Sequence, residues 1–570
     1  MTDETEPINA HEMTTSTAKQ NRIAPMVFAV LVLAITFIPY LLGYANAEGR
    51  RYLWLGYNFD DASVYLTWMR QTAAPSLRVF NLFTTDPQTG LVANPLFLLL
   101  GLVHWLTKIP LLGVFHLARL LFGYTLLMSV WHLVKTVLKT DSQRWFALLL
   151  VALSAGLGWL PVWNATGFDS PVDRWQPEAI TFLSLYLNPL FTASMTLQVL
   201  VLANLFKADQ TGDNRLTIKA GVSALLLSLI HGYDVITLSV VWTLYLIVRT
   251  IQKHDVVRVW KQALTVAGIA LPGVLFMLYQ IKSESVFRER IAVATLSAPI
   301  YWVALGYGIP FLLAVYALAR QRKSDRNTES IFLSIWMIGN VLAAYLPVSF
   351  QRKMLQGAHI PISILAAIAV NLLVQNKSRA MTAGIKGSIG IISALTVFAF
   401  MYRDIQNANA NITQTQLQRP FLRQGEQIAL DWVAKNTPPN ATIQPLPHIT
   451  LITDNVTSKT QTAISDTTLA TILPWMTGRA VFCGHFGETP HYTDRLNQLN
   501  RFLIPNTPDT EKISLLRSMN VQYLLFSQTS PSDIEADSLV PIFRHRLPLP
   551  KYLKQVYSSD GVEIYEIHLP

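Results

Sequence analysis

The chain has one cysteine, Cys483, among 570 residues. No intrachain disulfide can form, and any exported segment must fold without one. Charge is scarce as well: Asp, Glu, Lys and Arg make up 14% of the sequence, against about 25% in soluble domains. With 51% hydrophobic residues and a mean hydropathy of +0.32, this deficit indicates a polytopic membrane protein. The net charge of +10 is dispersed in short clusters between apolar runs. Such spacing fits loops beside anionic lipid, and no basic, aromatic-rich module points to nucleic acid. Also missing are an internal repeat, a metal-ligand cluster of defined spacing, a glycine loop that cradles phosphate and a serine-nucleophile motif.

What is present is a series of apolar runs of about 17 to 25 residues. They fall at 24–45, 112–134, 145–163, 187–206, 217–231, 233–250, 262–280, 299–319, 330–347, 358–375 and 384–401, about eleven spans. Residues 1–22 are polar and read as a disordered cytoplasmic tail. The run after them is too long for a signal-peptide core and reads as a retained span. With the N-terminus cytoplasmic, every inside connection carries Lys or Arg, as at Lys135, Lys139 and Arg144, or Arg320, Arg322, Lys323 and Arg326. This bookkeeping requires that 92–106, which opens on Asn94-Pro95 and contains His104, does not cross. It reads as a re-entrant or juxtamembrane helix on the outer face. The tail, 403–570, is then outside. Helix-like stretches (GEQIALDWVAKN, TEKISLLRSM) alternate there with strand-like ones (RAVFCGHF, VQYLLFS, GVEIYEIHL). The expected architecture is a helical transmembrane domain, 23–402, followed by an extracytoplasmic α/β domain. The expected location is the plasma (inner) membrane.

The stretch YNFDDASVYLTW places Asp60 and Asp61 a dozen residues after the first span. Asp60 alone could be a helix N-cap and Asp61 a solvated acid. Counting from Asp61, however, Val64, Tyr65, Trp68 and Met69 form one helical face. Such a helix is expected to lie in the membrane interface with its aromatics among lipid headgroups. An acid half-sunk there has its ionised form destabilised, which suits a general base.

A first span, an outer loop opening on an acidic pair and an Asn-Pro-led apolar half-helix resemble the GT-C superfamily of membrane glycosyltransferases. Its members include protein O-mannosyltransferases, lipid A aminoarabinose transferases, oligosaccharyltransferases and many bacterial relatives. The tail segments GRAVFCGHFGETPHY, NRFL and VQYLLFS look like the outer domain of the bacterial members. The resemblance implies transfer of a sugar from a polyprenyl phosphate or diphosphate to an acceptor hydroxyl on the outer face. It implies that Asp60 or Asp61 is the catalytic base or holds a divalent cation, Mg or Mn. Members often carry Asp-Glu where this chain has Asp-Asp, so metal dependence stays open. One base and one attack would invert the anomeric centre.

That chemistry needs outer-face cations for a departing phosphate. Arg352 and Lys353 (SFQRKMLQGAH) and Arg288 and Arg290 (SESVFRERIA) break the positive-inside pattern and are the candidates. Their plainer role is headgroup anchoring, or pairing with Glu284 and Glu289. Further candidates for the cavity are His231, Tyr233 and Asp234 in the turn HGYD, His359, Asp173 and Glu178 in an outer loop, and His485 and Glu488 in the tail. Each could equally be structural, the HGYD residues as a simple turn. Two rival functions remain open. A transporter predicts two related halves, which the sequence does not show. A non-catalytic assembly protein predicts a cavity that is filled or lacks cations.

Overall fold

The computed structural model describes residues 10–73, 76–163, 167–320, 327–413, 417–453, 460–504, 507–527 and 549–570. Residues 1–9 of the expected tail, and Arg322, Lys323 and Arg326, lie outside the described residues.

The helical part begins with α1 (Ala10–Ile35), α2 (Ile38–Ala45), the short strand β1 (Arg51–Tyr52), α3 (Phe59–Ala73), the strands β2 (Arg78–Val79) and β3 (Leu91–Val92), α4 (Pro95–Thr107), α5 (Leu111–Val137) and α6 (Asp141–Leu153). It continues through α7 (Thr181–Leu187), α8 (Pro189–Thr211), α9 (Asn214–Ile230), α10 (Tyr233–Ile251), α11 (Val256–Ser283) and α12 (Ser285–Ala292). It ends with α13 (Ile300–Arg320), α14 (Thr328–Ala343), α15 (His359–Val374) and α16 (Arg379–Asn409). The backbone over 10–22, expected to be disordered, belongs to α1.

Among the described residues, eight helical stretches are long and apolar enough to cross a membrane. The chain is a polytopic helical membrane protein. All eleven expected runs contain helix; the difference comes from α6, α9 and α14, which have 13, 17 and 16 residues. The run 145–163 overshoots because α6 stops at Leu153. The chain then turns extended, and the amides of Gly156 and Gly158 are captured by Asp173 Oδ2 at 2.9 and 3.0 Å.

Residues 92–106 form α4, and its start is dictated locally. The Asn94 side chain accepts from the Leu96 amide, with Pro95 in the first turn where no N–H is needed. Asn94 Nδ2 also donates to the Ile230 carbonyl at 2.8 Å, tying α4 to the end of α9. Helices α3 and α4 pack closely. A Cβ on Gly101 would lie 2.6 Å from the Met69 carbonyl oxygen, so only glycine admits this approach. Thr72 Oγ1 donates to the Phe97 carbonyl at 3.0 Å, and the Tyr65 and Phe97 rings stack at 4.8 Å.

The tail supplies β4 (Phe421–Leu422), α17 (Gln424–Asn436), β5 (Ile443–Pro445), β6 (His448–Thr453), β7 (Thr460–Asp466), α18 (Thr468–Thr477), α19 (Tyr492–Leu503) and α20 (Asp509–Met519). It closes with β8 (Tyr523–Ser527), β9 (Leu553–Ser559) and β10 (Val562–Ile567). The main sheet has the order β5-β8-β10-β9; β5 and β8 are parallel and the other pairs antiparallel. The helix-like and two of the strand-like sequences fold as expected. The third, RAVFCGHF, does not: only Ala480 bridges, to Thr442, and the segment turns instead.

Helix α3 does not lie among headgroups, and this corrects the sequence reading. Phe59, Val64, Leu66 and Met69 are all at most 2% exposed. One apolar core runs from Leu53, Phe59 and Leu66 through Phe97 to Leu430, Ile472, Leu473 and Ile564. Arg70 Nη1 donates to the Trp475 carbonyl of α18 at 3.3 Å. The helix is clamped between α4 and the tail. Its second apolar surface comes from residues 400 positions away, which periodicity cannot reveal.

Candidate functional site

The site grows from the turn before α3. The Tyr57 hydroxyl donates to the Trp175 carbonyl at 2.7 Å, and its ring packs on Phe400 at 4.6 Å. The Asn58 carbonyl accepts from the Ala62 amide at 3.1 Å and starts the helix. Asp60 and Asp61 occupy the first turn, where the helix dipole favours negative charge. Both are half-buried. Asp60 Oδ1 is buried, with no hydrogen-bond partner among the described residues. Burial, and then the neighbouring charge of Asp61, push the Asp60 carboxyl up to about 7.

The two acids line a cavity of about 670 Å3. Of the residues singled out by sequence, Arg290, Arg352, Lys353, His231, Tyr233, Glu178, His485 and Glu488 line it with them. Helices α12 and α10, the 3₁₀ turn Gln351–Leu355 and the tail loop after α18 bring these side chains together. Arg290 Nε lies 2.5 Å from Glu488 Oε1, with its guanidinium over the Trp68 ring at 5.1 Å. Lys353 Nζ sits 4.5 Å over the Tyr233 ring. Arg352 Nε lies 3.6 Å from Glu178, and its guanidinium lies over Trp175 at 5.4 Å.

The tail residues have distinct characters. Burial raises the Glu488 carboxyl to about 7 despite the opposing pull of Arg290, and the charge of Asp61 adds to the rise. His485 is held down to about 4 by burial. Its Nδ1 accepts from the amides of Gly487 and Glu488 at 3.0 and 3.1 Å, which fixes a neutral ring with its proton on Nε2.

Four singled-out residues do not line the cavity. Arg288 turns back to donate to the Lys282 carbonyl at 2.9 Å. Asp173 is fully buried and spends its carboxylate on the amides of Gly156 and Gly158. Asp234 is buried behind the wall, accepting from Gln356 Nε2 at 2.8 Å and holding His231 Nδ1 at 2.9 Å. His359 is buried between the hydroxyls of Ser154 and Thr181, each 3.1 Å from a ring nitrogen. The alternative pairing of the loop cations with Glu284 and Glu289 is not found among the described residues. Glu284 accepts from the Thr89 amide at 2.9 Å, and Glu289 faces His491 at 3.8 Å.

Sequence reasoning missed Tyr57, Asn58, Arg174, Trp175, Gln280, Gln356, Arg403 and Asn407, all in the wall. Arg403 carried a usable signal: like Arg352, it is a basic residue beside an apolar segment. Among the described residues, no group of three or more His, Cys, Asp or Glu is arranged to hold a metal ion. Asp60 and Asp61 alone do not make up a donor set, so no chemical step is routed through a metal here.

No family model and no curated protein matches this sequence. Solved structures do match its fold. The archaeal oligosaccharyltransferase AglB from Archaeoglobus fulgidus, in complex with an inhibitory peptide and a dolichol-phosphate, superposes with a TM-score of 0.53 at 12% identity. The match covers 87% of this chain and 69% of that one. The mycobacterial arabinofuranosyltransferase AftD gives 0.56 at 14% identity over 95% of this chain, which spans 40% of that longer one. ArnT from Cupriavidus metallidurans, bound to undecaprenyl phosphate, gives 0.50 at 12% identity over 94% of this chain and 97% of that one. The chain shares the GT-C fold with these membrane glycosyltransferases.

Proposed function

We propose that a chain with this fold and this cavity is a glycosyltransferase that moves a sugar from a polyprenyl phosphate or diphosphate to an acceptor hydroxyl. The observation that carries the reading is the meeting of Asp60 and Asp61 with Arg290, Arg352 and Lys353 in one chamber. A base and the cations for a leaving group must both reach one reacting centre. The structural neighbours in complex with dolichol-phosphate and bound to undecaprenyl phosphate agree with a lipid-linked donor. An open cavity supplied with cations also argues against a non-catalytic assembly protein.

In this reading the acceptor hydroxyl enters beside Asp60. As its oxygen attacks the anomeric carbon, Asp60 takes the proton. The bond from that carbon to the phosphate oxygen breaks, and its electron pair leaves with the lipid phosphate. Arg352, Lys353 and Arg290 stabilise the charge that develops there. Attack from the face opposite the leaving group inverts the centre. Asp61 keeps Asp60 basic by its neighbouring charge and serves as the alternative base. The tail, through His485 and Glu488, closes the chamber on the acceptor side. The N-terminus is cytoplasmic, and the cavity and tail face outward from the plasma membrane.

The test is turnover of a polyprenyl-linked sugar by Asp60→Asn and Asp61→Asn. Loss in at least one variant, with lipid binding kept, supports the reading; full activity in both removes the base.

A further inference from the structure

The mechanism above uses one set of cations for one phosphate, and the cavity contains two sets. On the tail side, Arg290 and Lys353 stand over Trp68 and Tyr233. At the other end, the Arg403 guanidinium lies 4.7 Å from the Phe400 ring and 5.5 Å from the Tyr57 ring, and Nη2 donates to the Arg174 carbonyl at 2.7 Å. The Tyr57 hydroxyl donates to the Trp175 carbonyl, and Arg352, over the Trp175 ring and adjacent in sequence to Lys353, stays with the leaving-phosphate set. Arg174 Nη1 donates to the Trp163 carbonyl at 2.8 Å.

Of the described carboxylates near this end, Asp173 and Asp404 do not line the cavity. Asp173 is turned to backbone amides and Asp404 to the Tyr186 hydroxyl. Glu178 lines the wall, 3.6 Å from Arg352. Burial first, and then the charge of Arg403, lower the proton affinity of Arg174. The two sets are separated along α3. Tyr57 belongs to one and Trp68 to the other, with both acids between them. Asp60 to Trp68 alone is about 12 Å of helix rise. Arg290, Lys353 and Arg352 already answer the leaving phosphate, and the Arg403 guanidinium is not among them.

We propose that the Arg403–Arg174 end is a second oxyanion subsite, separate from that of the leaving phosphate. Guanidiniums held against aromatic faces present their donor forks to a phosphate or carboxylate. The inference rests on the donor reading given under Proposed function. The oxyanion has two sources: the second phosphate of a diphosphate donor, or an anionic group on the acceptor.

The test uses the full chain in lipid nanodiscs, as wild type, Arg403→Gln and Arg403→Lys. Binding is measured for undecaprenyl phosphate, for undecaprenyl diphosphate, and for glucose 6-phosphate added to protein saturated with undecaprenyl phosphate. Arg403→Gln is expected to hold the monophosphate lipid within about threefold and to weaken one other probe by about tenfold or more. Loss of the diphosphate lipid identifies the donor as the source; loss of glucose 6-phosphate identifies the acceptor. Arg403→Lys, which keeps the charge, is expected to retain most of that affinity and excludes a folding defect. Equal binding of all three probes by Arg403→Gln and wild type would overturn the proposal. So would a loss for the monophosphate lipid as large as for the diphosphate. Lys353→Gln reads the first subsite separately. Unchanged monophosphate binding in that variant contradicts the donor reading, while the Arg403 result still decides the second subsite.

Discussion

Arg290 Nε lies 2.5 Å from Glu488 Oε1. This ion pair joins helix α12, in a loop between two spans, to a tail loop 198 positions later, and it stands in the wall beside Asp61. It is the most direct polar tie between the tail and the cations of the cavity.

Glu488→Gln is expected to loosen this closure. Breaking the pair leaves Arg290 without its counter-charge. Because Arg290 is one-quarter exposed, the cost is set at about 1–3 kcal/mol, below that of fully buried pairs. A lower thermal midpoint and faster proteolytic release of the tail would show it. A variant as stable and as protease-resistant as wild type would mean that the apolar core around α18 docks the tail alone.

The pH dependence follows from Asp60. Its carboxyl is raised to about 7 by burial and by Asp61, so it accepts a proton only above that range. Activity should rise with pH through a midpoint near 7 and level above it. Asp61→Asn removes the second cause, and the acidic limb should move to lower pH. An unmoved limb would separate Asp60 from the rate.

The same shift has a stability sign. A carboxyl whose folded value lies above its ordinary 3.8 binds protons more tightly when folded. Its contribution to stability is full below about 4 and is lost as pH rises through about 7. Asp60→Asn should therefore raise the thermal midpoint at pH 8 and change it little at pH 4. Equal shifts at both pH values would show that burial does not burden the charge.

Gly101→Val tests the α3–α4 contact. The added Cβ meets Met69 and Thr72 backbone at 3.0 Å or less, and these atoms cannot swing away as a side-chain tip can. A loss of about 1–3 kcal/mol is expected, typical of overpacking, with activity falling because α3 carries both acids. A neutral effect on stability would show that the two helices can separate without cost.

Much of this architecture is legible from residues alone, because lipid imposes long apolar helices and Asn94-Pro95 is a strong local start signal. The acid pair stands out for the same reason: ionisable residues are rare near an apolar helix. What the sequence does not carry is which polar residues turn inward. Asp173, Asp234 and His359 have the right chemistry, but they are buried away from the cavity and bonded to the Gly156 and Gly158 amides, to Gln356 and to Ser154 and Thr181. Arg403 goes unnoticed because a basic residue at the end of a span reads as an anchor. The placement of α3 fails differently: its second apolar partner is the tail, a long-range contact that no local period encodes.

The account turns on Asp60 as the proton acceptor. The most direct measurement is the rate at which a radiolabelled sugar leaves its polyprenyl carrier in membranes containing wild type or Asp60→Asn, at pH 8 and with lipid binding monitored. The account predicts a fall of about a hundredfold or more, within the range for removing a general base, with carrier binding unchanged. Transfer by Asp60→Asn at the wild-type rate would contradict it.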